Sequence, residues 1–321
     1  MANIADEFRC IGKGFCGSVW ASSQADEPAM KREDGGPGRS LRNDWDMHNI
    51  VRNAFTSLKN NFDNMIVPQP HVFITGEDMD WWNKNVSRFP VGFSPCNTLV
   101  STRVPPLPKP VRERLVDRYC PPQLAPLIKT NRGDEDCVVR PYLGRRRIGQ
   151  RVSRFQSFTL RNFPLHVDQM EDLGLNIFIY AAKLADALAI MHWVAGVDAN
   201  DVEFVLASCP HQISSPLTSD FLGEHTLWIL DFDCCPGMPM DLAGVEQAVA
   251  AFFRNDPFFP RPAATDARDQ GLWRHFRAQY IRTSDEMLRD SSLKKLPELF
   301  IEHLEERGRE LAMHKEKLST D

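Results

Sequence analysis

The stretch that most constrains the fold of this chain is an acidic segment with apolar residues on both sides, residues 191–206 (MHWVAGVDANDVEFVL). Asp198, Asp201 and Glu203 lie within six residues of one another in this segment. A loop in water would not need the flanking apolar residues, and a buried strand would not tolerate unpaired carboxylates. The pattern therefore predicts a loop that binds cations or transfers protons. The alternative is a simple helix-to-strand connection whose acids face water.

Composition limits the expected partners and compartment. The 321 residues carry a net charge of −5, which gives no general attraction to DNA or to an anionic membrane. We identify neither a signal peptide nor a run of about 18 apolar residues, and so expect no membrane-spanning helix. The cysteines form no C-x-x-C pair, so we expect reduced thiols, a cytoplasmic protein and no metal site. They are Cys10, Cys16, Cys96, Cys120, Cys137, Cys209, Cys234 and Cys235.

Three glycines near the N-terminus follow the pattern G-x-G-x-x-G. Gly12, Gly14 and Gly17 lie between two short predicted strands, residues 8–11 and 18–21, and do not open a helix. This placement differs from a dinucleotide-binding fingerprint and is typical of a hairpin that covers phosphates. The alternative is a glycine-rich hairpin without a ligand.

Lys31 follows this hairpin on a third short strand, at a position where a nucleotide phosphate would be met. The apolar periodicity of residues 41–58 predicts a helix, and Asp44 or Asp46 could reach Lys31 from it. As an alternative, both acids simply favour the N-terminal half of that helix.

A proline-rich stretch, VPPLPKP, follows the predicted strand regions 66–75 and 97–104. It can form neither a helix nor a central strand. We therefore expect a hinge between a small, β-rich N-terminal lobe over residues 1–106 and a larger, mainly helical lobe over residues 107–321.

A basic segment, residues 140–161, contrasts with the negative net charge. Its arginines alternate with aromatic residues, a combination that suits phosphate backbones and stacked bases. The alternative is a solvated basic turn whose neighbouring strands supply aromatic side chains to a core. The arginines are Arg140, Arg145, Arg146, Arg147, Arg151, Arg154 and Arg161.

The second half of the chain completes a recognisable order of elements. Apolar spacing predicts a helix over residues 173–193, directly before the acidic segment. An apolar strand then ends in Asp231-Phe232-Asp233, and helices follow. The order of hairpin, lysine, helix, hinge, helix, acidic loop and strand resembles the protein-kinase-like α+β fold with two lobes.

The kinase resemblance implies roles for four residues. Asp198 and Glu203 stand five apart, like the catalytic Asp and the metal-binding Asn of a kinase loop. If nucleotide and magnesium bind, Asp231 and Glu203 hold the metal, Lys31 meets the phosphates, and Asp198 activates an acceptor hydroxyl. The chain lacks the kinase His-Arg before Asp198 and an Ala-Pro-Glu segment. These departures favour phosphorylation of a small molecule, or a catalytically dead binding module, over protein phosphorylation.

A narrower resemblance rests on five strings, AMKREDGGPGRSLRND, RVPPLPKPVRE, CVVRPYLGRRR, SFTLRNFPLHVDQMEDLGL and MHWVAGVDANDVEFVLA. In these the chain is similar to a fungal family that includes the arginine-containing cyclodipeptide synthases. The resemblance implies an enzyme of fungal secondary metabolism. Such an enzyme joins arginine to a second amino acid, takes both residues from aminoacyl-tRNAs, and requires no cofactor.

This second resemblance implies a different use of the same residues. Asp198, Glu203 and Asp231 would be catalytic, and Asp198, Asp201 and Asp233 would bind the guanidinium of arginine. The arginines of the basic segment would bind arginyl-tRNA and a second aminoacyl-tRNA. A vestigial or alternative Mg-ATP site would use the three glycines and Lys31.

Overall fold

The fold of this computed structural model is α+β, as the sequence predicts, with two β-sheets and a set of helices packed mainly on the second sheet. The structure describes residues 7–58, 62–147, 157–210, 212–255, 257–288 and 292–320. The main hydrophobic core lies between the second sheet and the helices, while smaller apolar clusters pack on the first sheet.

The first sheet is antiparallel and has the order β1-β2-β3-β6-β5. Its first two strands form the predicted glycine hairpin. Gly17 is required in its turn, because a Cβ atom there would lie 1.8 Å from the carbonyl oxygen of Arg32. The strands are β1 (Arg9–Lys13), β2 (Ser18–Ala21), β3 (Ala29–Arg32), β5 (Pro70–Ile74) and β6 (Thr98–Ser101).

The second sheet is mixed, with the order β10-β11-β9-β7-β8 and with β4 paired to β11. β4 lies before residue 106, but it pairs in parallel with β11 of the second sheet. One strand of the predicted N-terminal lobe is therefore part of the sheet of the predicted C-terminal lobe. The two-lobe division stays a prediction. The strands are β4 (Met65–Ile66), β7 (Val139–Tyr142), β8 (Phe163–His166), β9 (Glu203–Ser208), β10 (Leu217–Ser219) and β11 (Gly223–Leu230).

The helices confirm most of the predicted helical segments. One addition is α2, which lies within a segment (76–94) that the sequence analysis does not assign to a helix; its Trp82 is fully buried against the first sheet. The α-helices are α1 (Leu41–Ser57), α2 (Met79–Asn85), α3 (Lys109–Tyr119), α4 (Ala125–Thr130), α5 (Val167–Asp172), α6 (Ile177–Ile190), α7 (Leu242–Arg254), α8 (Ala267–Met287) and α9 (Leu296–Thr320).

Helix α6 is the central helix of the core and leads directly to the acidic segment. It continues through one π-helical turn, Met191–Ala195, and ends at Gly196 in the left-handed conformation, with φ of 66°. By length and composition alone the stretch Ile177–Ala195 could cross a membrane, but 72% of it is buried inside the protein. It is therefore a core helix, as in a soluble protein.

Because of the buried His192 in the π-helical turn, we expect the free energy of unfolding to depend on pH. Burial lowers its pKa to about 3, although the backbone of Asp198 favours the charged ring, and Nδ1 contacts the hydroxyl of Tyr280 at 2.9 Å. The unfolded chain binds the proton of His192 more tightly than the folded protein does. The neutral ring therefore contributes its full stabilisation of the folded state above pH 6.5, and this contribution is lost as pH falls toward 3. We expect the contribution of His192 to fall by about 2 kcal/mol between pH 7.5 and pH 5. Urea unfolding of wild type and His192→Gln at both pH values measures it, and equal losses in the two proteins would contradict it.

Candidate active site

The main candidate site is a cavity of about 220 Å³ between the glycine hairpin and the second sheet. Eight of the residues singled out from sequence line it together, although they are far apart in the chain. They are Gly12, Gly14, Gly17, Lys31, Asp44, Arg140, Glu203 and Asp231. A glycine hairpin, a lysine and carboxylates around one cavity form an arrangement suited to a phosphate group that brings a divalent cation with it.

Lys31 forms the charged centre of this cavity. Its Nζ atom lies 2.6 Å from Oδ2 of Asp44 on α1 and 2.5 Å from Oδ1 of Asp231 after β11. Burial alone would lower the pKa of Lys31, but the charges of Asp44 and Asp231 outweigh it and raise the pKa. Lys31 therefore stays charged and links the first sheet, α1 and the end of β11.

Asp44 is the acid that reaches Lys31, and it also holds the segment after β11. Its Oδ1 atom accepts a hydrogen bond of 3.1 Å from the backbone N–H of Phe232. Asp46, the other sequence candidate, points to Arg42 at 3.5 Å on the outer face of the helix. One helical carboxylate thus positions both Lys31 and the residue beside Asp231.

Asp231 and Asp233 form a pair of carboxylates at the end of β11. Asp231 has φ of 69°, a left-handed conformation that is strained for a residue other than glycine. Burial would raise the pKa of Asp231, but Lys31 outweighs burial and lowers it. Burial and the charge of Asp231 raise the pKa of Asp233 to about 6.

Asp198 is buried on the acidic loop, with 2% of its surface exposed. Its carboxylate accepts hydrogen bonds from the backbone N–H of Asn200 at 2.9 Å and from Nε2 of Gln247 at 3.0 Å. Burial raises the pKa of Asp198, and both hydrogen bonds oppose this shift. A buried carboxylate with a raised pKa and few contacts is suited to accept a proton.

The acidic loop is shaped by residues that the sequence analysis did not single out. Asn255, at the end of α7, accepts the N–H of Asp201 at 2.6 Å and donates to the carbonyl of Ala199 at 2.9 Å. Ala199 and Asp201 both have positive φ, 57° and 62°, so the loop needs such support. Because Asn255 lies 54 positions from Asp201, no local pattern identifies it.

Asp201 and Asp233 meet around the side chain of Arg39. The Nη1 atom of Arg39 lies 2.8 Å from Asp201 and 3.2 Å from Asp233, and it also contacts Sγ of Cys234. The two carboxylates therefore do bind a guanidinium, but it is that of Arg39 in the chain itself and not that of a substrate. Binding of a substrate arginine by Asp198, Asp201 and Asp233 stays a prediction.

The arginines of the basic segment are distributed over separate contacts within the protein. Arg140 pairs with Glu203, and Arg147 lies 3.3 Å from Asp168. Arg146 pairs with both Glu171 and Asp269, and Arg161 donates to the carbonyls of Gly133 and Cys10. Arg145 is exposed, and Arg151 and Arg154 lie outside the described residues. Binding of tRNA by these arginines stays a prediction. For several of them, the ion pairs within the protein are a structural reason for having an arginine at that position.

A carboxylate that sequence reasoning did not identify, Asp136, also lines the cavity. It pairs with Arg9 on β1 and, at 2.7 Å, with Arg103, directly before the predicted hinge. These ion pairs attach the outer strand of the glycine hairpin to the chain beyond the hinge.

Comparison with known proteins corrects the family expected from sequence. Residues 227–292 match the family DUF3669, described as a zinc finger protein, and no curated protein matches the chain. The match spans about a fifth of the chain and includes both Asp231 and Asp233. It contradicts the identification with arginine-containing cyclodipeptide synthases, so that resemblance and the tRNA-dependent enzyme class drawn from it are wrong.

The family description does not by itself place a zinc site in this chain. The matched residues contain Cys234, Cys235 and His275 as cysteine and histidine ligands, without the paired spacing of a zinc finger. Among the described residues, one group has donors close enough for a metal, formed by Asp201, Asp233 and Cys234. Arg39 lies among those three donors.

Proposed function

We propose that this chain is an ATP-dependent phosphotransferase that acts on a hydroxyl group of a small molecule, with a kinase-like arrangement of two lobes. The observation that carries the proposal is Lys31, which bridges Asp44 and Asp231 beneath the glycine hairpin. A lysine held by a helical acid and adjacent to a strand-end Asp is the arrangement by which kinases bind nucleotide phosphates.

The cavity walls support a nucleotide as the ligand. Val19 and Ala29 line it from the first sheet, and Leu230 lines it from the second. These apolar side chains form a slot suited to a flat base, and Ser101 and Thr102, at the end of β6, also line it. The glycines of the hairpin leave room for phosphates close to the backbone.

The residues at the end of β11 fit a divalent cation. Asp231 and Asp233 are two carboxylates two residues apart at the end of β11, and the charge of Asp231 acts on Asp233. Carboxylate oxygens are the ligands that a hard divalent cation prefers. Asp231 and Asp233 would therefore hold magnesium. Bound Mg-ATP would supply the phosphoryl group and the cation that neutralises its charge. A metal-binding role for Glu203 stays a prediction, since that residue pairs with Arg140.

Other residues of the chain would bind the phosphates, accept the proton of the acceptor hydroxyl and position the groups that do so. Lys31 would bind phosphate oxygens, while Asp44 keeps its ammonium group in place. Asp198 would bind the acceptor hydroxyl at Oδ2, displacing the amide of Gln247, and would take its proton. Gln247 and Asn200 position Asp198, and Asn255 positions the loop around it.

One other function and the compartment remain as separate hypotheses. A catalytically dead binding module would use the same cavity without turnover. Aminoacyl-tRNA-dependent synthesis rested on the family resemblance that the comparison contradicts, and the arginine contacts give it no added support. We propose a cytoplasmic location, which suits an ATP-dependent enzyme with free cysteines.

Binding of Mg-ATP tests the proposal directly. We expect Mg-ATP to raise the melting temperature, with a stabilisation of about 2.7 kcal/mol at a hundred times its Kd. Calorimetric titration should give a Kd within roughly 1 μM to 1 mM, the usual range for enzyme substrates. Magnesium chloride alone and adenosine are the controls. No shift and no heat of binding at 10 mM Mg-ATP would contradict the proposal, whereas binding without ATP consumption over a panel of alcohol acceptors would favour the binding module.

A further inference from the structure

The connection between β3 and α1, residues 33–40, forms a strap that lies on the turn of the glycine hairpin. The N–H groups of Gly35 and Gly36 donate to the carbonyls of Cys16 and Phe15, at 3.2 Å and 2.9 Å. A Cβ atom on Gly35 would lie 2.1 Å from the carbonyl oxygen of Phe15, so the strap packs closely on the turn. Movement of the strap and movement of the hairpin turn are therefore coupled.

Arg39, at the end of the strap, connects this unit to the opposite side of the cleft. Its guanidinium lies 5.7 Å from the ring of Phe15 on the hairpin side. On the other side it lies 2.8 Å from Asp201 and 3.2 Å from Asp233. One side chain thus holds the hairpin turn, the strap and two carboxylates together.

Arg39 and magnesium would need the same oxygen atoms. Both Oδ1 and Oδ2 of Asp233 lie within 3.3 Å of Nη1 of Arg39. A divalent cation on the same oxygens would have to compete with the guanidinium for the lone pairs that it faces. The two positive charges would also repel each other at this distance. Binding of Arg39 and binding of a metal at Asp233 therefore oppose each other.

We propose that Arg39 is an internal counter-ion that holds the cleft in a resting state and leaves Asp233 when a divalent cation binds. The inference rests on the proposed function, because Asp231 and Asp233 are the carboxylates assigned there to magnesium. When Arg39 leaves Asp233, the strap and the hairpin turn are free to move over the phosphates. Asp201, whose side chain is 49% exposed, keeps Arg39 near the cleft mouth after this exchange.

The geometry favours exchange over a permanent structural ion pair. Arg39 is 23% exposed, so its guanidinium reaches water by a rotation of the side chain. Its contact with Asp201, whose side chain is 49% exposed, is of the partly exposed kind that is readily exchanged. Its contact with Asp233, whose side chain is 2% exposed, is the one that a cation would have to replace.

Substitution of Arg39 by glutamine tests the inference, with Mn²⁺ alone and Mg-ATP as probes. We expect Arg39→Gln to bind each probe about 5- to 50-fold more tightly than wild type, the usual size of a coupling between two sites. Arg39→Lys retains the charge and should resemble wild type. Arg42→Gln is the matched control, because it removes an equal charge from an exposed position nearby.

The outcomes separate this inference from the proposed function. Equal or weaker Mn²⁺ binding by Arg39→Gln, in a protein with unchanged circular dichroism, overturns the counter-ion role even if Mg-ATP binds to wild type. Tighter Mn²⁺ binding without any Mg-ATP binding supports the counter-ion role and overturns the phosphotransferase. An equal gain in Arg42→Gln also overturns the inference, since it would reflect net charge alone.

Discussion

Replacement of Lys31 by methionine is expected to lower the free energy of unfolding by about 3–5 kcal/mol, since it leaves buried charges without their partner. Lys31 is within 2.6 Å of Asp44 and 2.5 Å of Asp231, so both carboxylates lose their counter-ion at once. Methionine retains much of the apolar volume, which separates the effect of charge from the effect of a cavity. Urea unfolding followed by circular dichroism measures the loss.

Two further variants establish the source of this loss. Lys13→Met removes an exposed lysine from the same cavity wall and should change stability by less than about 0.5 kcal/mol. In the double variant Lys31→Met/Asp44→Asn, we expect partial recovery, because one of the two stranded charges is gone. If Lys31→Met is as stable as Lys13→Met, the ion pairs of Lys31 with Asp44 and Asp231 do not contribute to the free energy of unfolding as predicted.

Replacement of Asp198 by asparagine is expected to lower the turnover of phosphoryl transfer by about 10²- to 10⁴-fold, the usual contribution of a general base. The amide can still accept the N–H of Asn200, and Gln247 can rotate its own amide to remain paired. Since the proposal places Mg-ATP at Lys31, Asp231 and Asp233, its affinity should remain within about threefold of wild type. Steady-state kinetics and calorimetry on the same variant separate these two quantities.

Asp186→Asn provides the matched control for this prediction. Asp186 is also a buried acid with a pKa raised by burial, and it accepts hydrogen bonds from Thr283 and Gln279 on α8. Both substitutions replace a buried charge with a neutral group of the same shape, so neither should unfold the protein. Loss of turnover in Asp198→Asn alone supports the proton-accepting role. Comparable losses in both variants, or full activity in Asp198→Asn, would remove Asp198 from the mechanism.

The family match limits what relatives contribute to these proposals. It covers residues 227–292, which include the carboxylate pair but neither the glycine hairpin nor Lys31. The case for phosphoryl transfer therefore depends on the geometry of this chain. The fungal synthase family, expected from short strings spread over the sequence, is not supported by the match, and the strings have structural explanations in part. Arg146, for example, lies in one of them and pairs with Glu171 and Asp269.

The sequence predicted the elements whose signals are local. The glycine hairpin, helix α1 with Asp44 facing Lys31, helix α6 and the strand before Asp231 all form where their patterns indicated. Each follows from apolar periodicity or turn chemistry within about twenty residues, which is the range over which backbone preferences act. Helix α2 was missed because its segment is polar apart from two tryptophans, and its burial depends on the first sheet.

What the sequence by itself determined is the α+β class, the order of the elements and a set of charged residues that a cleft would require. The tertiary structure alone decided how those charges pair. Arg39 meets Asp201 and Asp233 across 162 and 194 positions, Arg140 takes up Glu203, and Asp136 connects the hairpin to the hinge. The physical reason is that a charge has no preferred partner along the chain. Its partner is chosen by which opposite charge the folded backbone brings within about 4 Å in a poorly solvated place.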